Sequence, residues 1–100
     1  MLLIQGWLKL ATGEFDKVAA DARTMVAATN AEDGCIHYSF ARDLNDPDLI
    51  HIAERWRDAE ALGAHGKSAH MVTFNQAMGG VTREGADLWL YNAEGVRKLL

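Results

Sequence analysis

The spacing of hydrophobic and polar positions divides the first third of this chain into a strand and a helix. In residues 2–11, hydrophobic side chains occupy both sides of an alternating pattern, which predicts a strand with two apolar faces. In the next segment, apolar or small residues recur every three or four positions, at Phe15, Val18, Ala19, Ala22, Met25, Val26 and Thr29. This period predicts an amphipathic helix, and we expect Thr12 to cap its first turn.

The rest of the chain contains three further segments with the alternation of a strand. Residues 35–42 and 49–56 are separated by a polar run around Asp46-Pro47, which predicts an antiparallel hairpin. Residues 82–91 alternate in the same way and predict a fourth strand.

Two short helical segments are expected between the third and fourth strands. Residues 59–66 follow Asp58 and residues 69–78 follow Ser68, and both preceding residues are good N-caps. At the end of the chain we expect a helical turn that groups three apolar side chains, those of Val96, Leu99 and Leu100.

The predicted order β-α-β-β-α-β is that of an α+β, ferredoxin-like sandwich, in which one face of a sheet is covered by helices. The uncovered face still carries large apolar side chains, those of Leu3, Trp7, Leu49, Trp89 and Tyr91. Soluble monomers avoid exposed patches of this kind. We therefore expect a homodimer that packs sheet against sheet.

Length and composition narrow the class of protein. A chain of 100 residues has room for one domain, spanning residues 1–100. The net charge of −4 is scattered and no basic stripe is present, so nucleic acid is not an expected partner. No apolar run is long enough to span a membrane, and the single cysteine, Cys35, favours a reducing compartment. A soluble cytoplasmic protein is expected.

Several short motifs follow one another in an order that is fairly specific. Glu32-Asp33-Gly34-Cys35 precedes the second strand, Glu54-Arg55-Trp56 ends the third, and the two helical segments carry Ala61-Leu62 with His65, then Ser68 with His70 and Met71. In these motifs and their spacing the chain resembles the antibiotic biosynthesis monooxygenase domain family over essentially its whole length.

The resemblance implies a dimeric α+β barrel with a pocket between the sheet and the helices of each subunit. Characterised members of that family include monooxygenases that oxidise quinols and polyketide precursors of quinones with dioxygen, without metal, flavin or haem. Other members degrade haem or isomerise small phosphorylated sugars. The family alone therefore does not fix the reaction.

Three polar residues are candidates for catalysis in such a pocket. His65 and His70 are candidate bases because histidine titrates near neutral pH. A histidine at a helix junction also often caps backbone groups; both interpretations of His70 stay open, and for His65 the structural one is favoured. Asn75 lies on the apolar stripe of its helix, where its amide could hydrogen-bond a substrate oxygen or a backbone group.

A second group of residues is expected to bind the substrate, with hydrophobic core as the alternative: Trp56, Glu54, Tyr38, Phe40, Met71 and Phe74. Among apolar neighbours, Glu54 should have a raised pKa or a cationic partner; ion pairing with an arginine such as Arg42 is favoured over a role in general acid–base catalysis. No metal site is expected, because His65 and His70 are five positions apart and no further ligand is spaced with them. The sequence also lacks a glycine-rich phosphate loop, and no cofactor is expected.

These features lead to one main hypothesis and several alternatives. The main hypothesis is a cofactor-independent monooxygenase that oxidises a hydroquinone-like or polycyclic phenolic substrate with dioxygen. A non-catalytic binding dimer and an isomerase of a small carbonyl compound are the alternatives. Haem-degrading relatives carry an asparagine in the first strand and a histidine and a tryptophan in the second helical region. At the positions that resemble these, this chain has Gln5, Asn75 and His65, so haem degradation is less favoured.

Overall fold

The computed structural model describes residues 1–100 and contains four strands and three helices. The strands are β1 (Leu2–Leu10), β2 (Cys35–Arg42), β3 (Leu49–Trp56) and β4 (Arg83–Asn92); the helices are α1 (Phe15–Asn30), α2 (Ala59–Gly66) and α3 (Ala69–Met78). All predicted strands and helices before the tail are present, with ends within one residue of those expected. No helix combines the length and the hydropathy needed to cross a bilayer.

The four strands form one antiparallel sheet in the order β2-β3-β1-β4. β1 pairs with β3 on one side and with β4 on the other, so that Gly6 lies opposite both Ile52 and Leu88. β2 pairs with β3 through the predicted hairpin. With the helices packed on one face, this topology confirms the predicted ferredoxin-like α+β fold.

The core lies between the sheet and the helices. Alternate residues of the inner strands point towards the helices and are buried, among them Leu8, Leu10, Ile50 and Ile52. The stripe predicted for α1 packs against these strand residues and contains five buried residues, Phe15, Val18, Ala22, Met25 and Thr29. Burying one large apolar side chain contributes about 1.5–3 kcal/mol, so these two periodic patterns decide which faces of the elements meet.

The two short helices are separated by a capped break. The Asp58 carboxylate accepts a hydrogen bond from the backbone N–H of Ala61 at 2.9 Å, and the Ser68 hydroxyl accepts one from Met71 at 3.3 Å. Both predicted N-caps are therefore confirmed. Because α2 ends at Gly66 and α3 restarts at Ala69, the chain changes direction between them.

The start of α1 differs from the prediction. Thr12 does not cap the helix; the N-cap position is occupied by Glu14, whose side chain makes no capping bond. Gly13 has a φ of 75°, which glycine adopts without strain, and its N–H donates to Oδ1 of Asp48 at 3.0 Å. This turn thus shifts the start of the helix past Thr12 and ties it to the β2–β3 hairpin.

The last strand and the tail are the least covered parts of the chain. Apolar side chains of β4 are about half exposed on both faces of the sheet, with Trp89 at 59 % and Leu90 at 55 %. The helical turn predicted for the tail is absent, and its residues Val96, Leu99 and Leu100 are exposed. Without a surface to pack against, they provide no burial energy to offset the entropy cost of ordering a turn.

Candidate functional site

A cavity of about 420 Å³ lies between the sheet and the helices α2 and α3. Twelve of its sixteen lining residues are hydrophobic, and they come from all four strands and both helices. The four polar lining residues are Glu54, His65, Asn75 and Arg83. The volume falls within the range of small-molecule pockets, about 300–1,000 Å³, so the cavity is a candidate binding site.

Most residues predicted to bind substrate do line this cavity: Glu54, Tyr38, Phe40, Met71 and Phe74. Trp56 is the exception, and its predicted place at the cavity is corrected by the structure. Its side chain is fully buried, and the His65 ring packs on it with 4.9 Å between ring centroids. Trp56 therefore packs against His65 and does not belong to the cavity lining.

Aromatic rings form one wall of the cavity. The rings of Tyr38 and Phe40 stack with their centroids 5.7 Å apart, and Phe74 meets Phe40 edge-on at 5.8 Å. Burial, followed by the negative charges of nearby groups including Glu54, raises the pKa of the Tyr38 phenol well above its usual range. Tyr38 is thus a neutral phenol in a largely apolar wall.

Glu54 is the buried carboxyl group of the cavity. It accepts a hydrogen bond from the indole N–H of Trp56 at 2.9 Å. Burial raises its pKa, which was one of the two alternatives expected from the sequence, and the hydrogen bond from Trp56 opposes that shift. The predicted partner Arg42 is wrong: it pairs with Asp16 at 2.5 Å, because its position near the end of β2 places it beside α1.

Glu32, His65 and His70 form a cluster that the sequence did not predict. Nδ1 of His65 lies 2.7 Å from Oε2 of Glu32, and Nε2 of His70 lies 3.5 Å from the same oxygen. The ligating atoms of all three lie within 4.8 Å of one another, a spacing at which they could hold one metal ion. The expectation that the two histidines have no further ligand beside them is therefore wrong.

The break between α2 and α3 explains this convergence. A continuous helix would separate residues five positions apart around its surface, but the chain turns between Gly66 and Ala69, and the two imidazole rings lie 5.9 Å apart. The one sequence signal for Glu32 was its position in the Glu32-Asp33-Gly34-Cys35 motif after α1.

The predicted catalytic residues occupy different environments. His65 lines the cavity and is buried, with its ring between those of Trp56 and Tyr38. His70 does not line the cavity; it faces a groove of about 220 Å³ between α1 and α3. Asn75 lines the cavity but is an exposed residue, which places it at the mouth.

Cys35 lies half-buried at the start of β2. Burial raises the pKa of its thiol, and the charges of Glu32 and Glu54 raise it further. The thiol is therefore protonated at neutral pH, which argues against a role as nucleophile.

Comparison with known proteins finds relatives in sequence and in fold. "Putative monooxygenase YcnE" of Bacillus subtilis (strain 168) is 23 % identical over 74 residues, which cover 74 % of this chain and 78 % of that protein. The structure of a "putative antibiotic biosynthesis monooxygenase" from Deinococcus radiodurans superposes with a TM-score of 0.85 at 21 % identity, covering 100 % of this chain and 99 % of that one. PA3566 from Pseudomonas aeruginosa gives a TM-score of 0.82 at 24 % identity, covering 94 % of each chain.

Structural similarity at these low identities establishes the fold. The family assignment comes from the sequence, since the pattern described as antibiotic biosynthesis monooxygenase matches residues 1–77. Because this match covers more than half of the chain, the protein belongs to the antibiotic biosynthesis monooxygenase family.

Proposed function

We propose that this protein is a cofactor-independent monooxygenase that oxidises a hydroquinone-like or polycyclic phenolic compound with dioxygen. The observation that carries the proposal is the cavity itself, an aromatic-walled, mostly apolar chamber of about 420 Å³ with a histidine and a carboxyl group in its lining. Flat aromatic rings fit between such walls by stacking and edge-on contact. An apolar chamber also excludes water from a reactive substrate anion.

The proposed reaction balances without an external reductant. A hydroquinone and one dioxygen give a hydroxyquinone and one water: one oxygen atom is inserted at a ring carbon and the other leaves as water. All four electrons come from the substrate. The protein needs to remove a phenolic proton, because the resulting anion passes an electron to dioxygen far more readily than the neutral phenol does.

His65 is the proposed base. Its Nδ1–H donates to Glu32 at 2.7 Å, which leaves the lone pair of Nε2 free to accept a proton. Glu32 is then a positioning residue, since it selects the tautomer and stabilises the imidazolium that forms. His70, beyond Glu32 and outside the cavity lining, is proposed to hold the Glu32 carboxylate rather than to touch the substrate.

Asn75 is proposed to bind a substrate oxygen at the mouth of the cavity. Its amide offers both donors and an acceptor, and it belongs to the lining of the cavity. Glu54, held by Trp56 deeper in the cavity, offers a second polar contact. The substrate would thus have one polar group at each side of its ring system.

Isomerisation of a small carbonyl compound is the second candidate. It is favoured by one observation: the cavity contains a carboxyl group with a raised pKa, Glu54, as well as the histidine His65. An acid and a base in one chamber are what proton transfer between adjacent carbons requires. Deuterium uptake from D₂O into such a compound under anaerobic conditions would identify this activity.

A homodimer through the outer face of the sheet is proposed as the assembly. Trp89 and Tyr91 are 59 % and 45 % exposed on the strand β4, and a second copy would cover them. Light scattering after gel filtration should give twice the mass of one chain. Trp89→Lys should give particles with the mass of one chain. A variant that keeps the mass of two chains would contradict the proposal.

Oxygen uptake by metal-stripped protein against a panel of hydroquinones and anthrone-like phenols tests the reaction. With ¹⁸O₂, one labelled atom should appear in the product. His65→Gln should lower turnover by about 10²–10⁴-fold, the usual contribution of a general base. His51→Gln, an exposed histidine on β3, is the matched control.

Glu32→Gln separates positioning from folding. This substitution keeps the size of the side chain but removes its charge, so kcat should fall more than KM changes and the pH profile should shift. Glu32→Asp keeps the charge and should partly restore the wild-type values. Absence of uptake across the whole panel would overturn the monooxygenase proposal. Full turnover by His65→Gln would overturn the assignment of the base.

A further inference from the structure

We propose that Glu32, His65 and His70 also form a binding site for a divalent transition metal ion of the zinc type. Glu32 comes from the turn after α1, His65 from α2 and His70 from α3, and their ligating atoms lie within 4.8 Å of one another. Two imidazoles and a carboxylate are ligands that zinc and its neighbours in the first transition row bind well.

The distances within this cluster suit a single ion. Oε2 of Glu32 is 2.7 Å from Nδ1 of His65 and 3.5 Å from Nε2 of His70. Around a tetrahedral zinc ion with bonds of about 2.0–2.2 Å, neighbouring ligand atoms lie roughly 3.3–3.6 Å apart. Small side-chain adjustments are therefore enough to bring the three groups around one ion.

The environment of one cluster atom also favours an ion. Nε2 of His70 is buried and has no hydrogen-bond partner. Proteins rarely leave a buried polar atom in this state, and a bound ion is one of the ways in which such an atom is satisfied. A metal ion at the cluster would coordinate this nitrogen together with the Glu32 carboxylate.

Charge and access also favour a cation. A groove of about 200 Å³ reaches Glu32 from the surface, and Asp33, Glu60 and Arg57 lie along it with Glu32. Three carboxylates against one guanidinium give this groove a net negative charge, which raises the local concentration of cations. On the far side of the cluster, the groove between α1 and α3 reaches His70. Water can therefore complete the coordination of an ion.

A bound ion would stop the proton transfer proposed for His65, and this regulatory part rests on the proposed function. The ion would replace the proton that Nδ1 shares with Glu32, since a metal ligand must be deprotonated. With Nδ1 bound to the ion, the one proton of the neutral imidazole ring would be on Nε2. His65 could then no longer accept a proton from a phenol. Metal availability would thus inhibit the reaction.

Titration of the metal-stripped, full-length protein with Co²⁺, followed by visible absorption and then by competition with Zn²⁺, tests the site. We expect one ion per chain. His70→Ala should weaken binding by at least about 100-fold, because even partners that only orient a ligand change affinity by about 10–100-fold. His51→Ala, which removes an exposed imidazole paired with Asp43, should leave binding unchanged. Mg²⁺ should not compete, since it prefers oxygen ligands.

Several results would overturn the metal site: a stoichiometry well below one, unchanged affinity in His70→Ala, or equal competition by Mg²⁺. If that variant does not fold, as judged by circular dichroism, imidazole NMR spectra of the unaltered protein decide the question. Zn²⁺ should shift the resonances of His65 and His70 and leave those of His37 and His51 in place. Equal shifts of all four histidines, or none, would refute the site.

The regulatory part has a separate readout. One equivalent of Zn²⁺ should abolish oxygen uptake, and a chelator should restore it. Metal binding in a protein that consumes no phenol would support the site and count against the proposed function. Turnover that continues with the metal bound would refute the inhibition while leaving the proposed function intact.

Discussion

The indole N–H of Trp56 donates a hydrogen bond to Oε1 of Glu54 across 2.9 Å, between two side chains on the same face of β3. Both side chains are buried, so this bond fixes a carboxyl group in the lining of a mostly apolar cavity. Burial raises the pKa of Glu54, and the hydrogen bond from Trp56 lowers it by less. The net effect favours the protonated form of Glu54 in the folded state.

Glu54→Gln should therefore stabilise the protein at neutral pH. Since the folded-state pKa of Glu54 lies above its ordinary value of 4.5, its favourable contribution is fully present below that value and is lost as pH rises through the folded-state pKa. The glutamine variant is neutral throughout and can still accept the Trp56 bond. Urea unfolding at several pH values should show the variant gaining free energy of unfolding over the wild type between acid and neutral pH.

The exposed Glu60 on α2 provides the control, since Glu60→Gln removes one carboxylate without removing a buried one. A difference between wild type and Glu54→Gln that does not change with pH would contradict the raised pKa. A variant that loses stability at neutral pH would show that ionised Glu54 is held by a favourable partner.

Ser68 caps α3 and also links it to α2. Its hydroxyl accepts a hydrogen bond from the N–H of Met71 at 3.3 Å and donates to the carbonyl of His65 at 2.6 Å. Ser68→Ala should lower the free energy of unfolding by about 1 kcal/mol, measured by urea unfolding. Ser68→Thr keeps a hydroxyl cap and should lose less. Equal losses in both variants would point to steric effects at this position instead of capping.

Gly6 is required by the close approach of β4 to β1. A Cβ atom added there would lie 1.8 Å from the backbone oxygen of Asp87, so a side chain would force the two strands apart. Gly6→Ala should cost about 2–3 kcal/mol of stability, in the upper part of the range for single substitutions. The same change at Gly63, in α2, meets no atom within 4 Å and should stabilise by about 0.5–1 kcal/mol.

Thermal unfolding of both glycine variants measures this contrast. Equal midpoints for Gly6→Ala and wild type would show that β4 can move away from β1 at little cost. That outcome would also change the description of the cavity, because Ala86 and Leu88 of β4 contribute to its lining.

The elements were predictable because their signals are local. The stripe from Phe15 to Thr29 needs only helical geometry to reach one face, and the alternation from Leu49 to Trp56 needs only a strand. The sidedness of Glu54 followed in the same way, and with it the expectation of either a raised pKa or a cationic partner, of which the structure shows the raised pKa. These predictions depend on neighbours within a few positions along the chain.

The Glu32–His65–His70 cluster was not predictable by that means, because it depends on how a turn, α2 and α3 meet in space. The sequence showed two histidines five positions apart; it did not show the direction that α3 takes after Ser68. The partner of Glu54 was missed for a related reason. A charged residue was expected from across the sheet, whereas Trp56, two positions along the same strand, already satisfies the carboxyl group.

Phe74 sets the size of the aromatic end of the cavity. It is buried, it meets the Phe40 ring edge-on at 5.8 Å, and it belongs to the cavity lining. Phe74→Ala should cost about 3 kcal/mol of stability. It should also widen the chamber, so that binding of a naphthol improves relative to binding of hydroquinone.

Calorimetric titration of both ligands into wild type, Phe74→Ala and Val72→Ala measures this change. Val72 lies on the same helix and is 49 % exposed, so its truncation should alter neither stability nor the ratio of the two affinities by much. An unchanged ratio in Phe74→Ala would place the phenol elsewhere than against Phe40. An increased ratio would identify the gap between β2 and α3 as the site where the second ring of a polycyclic substrate binds.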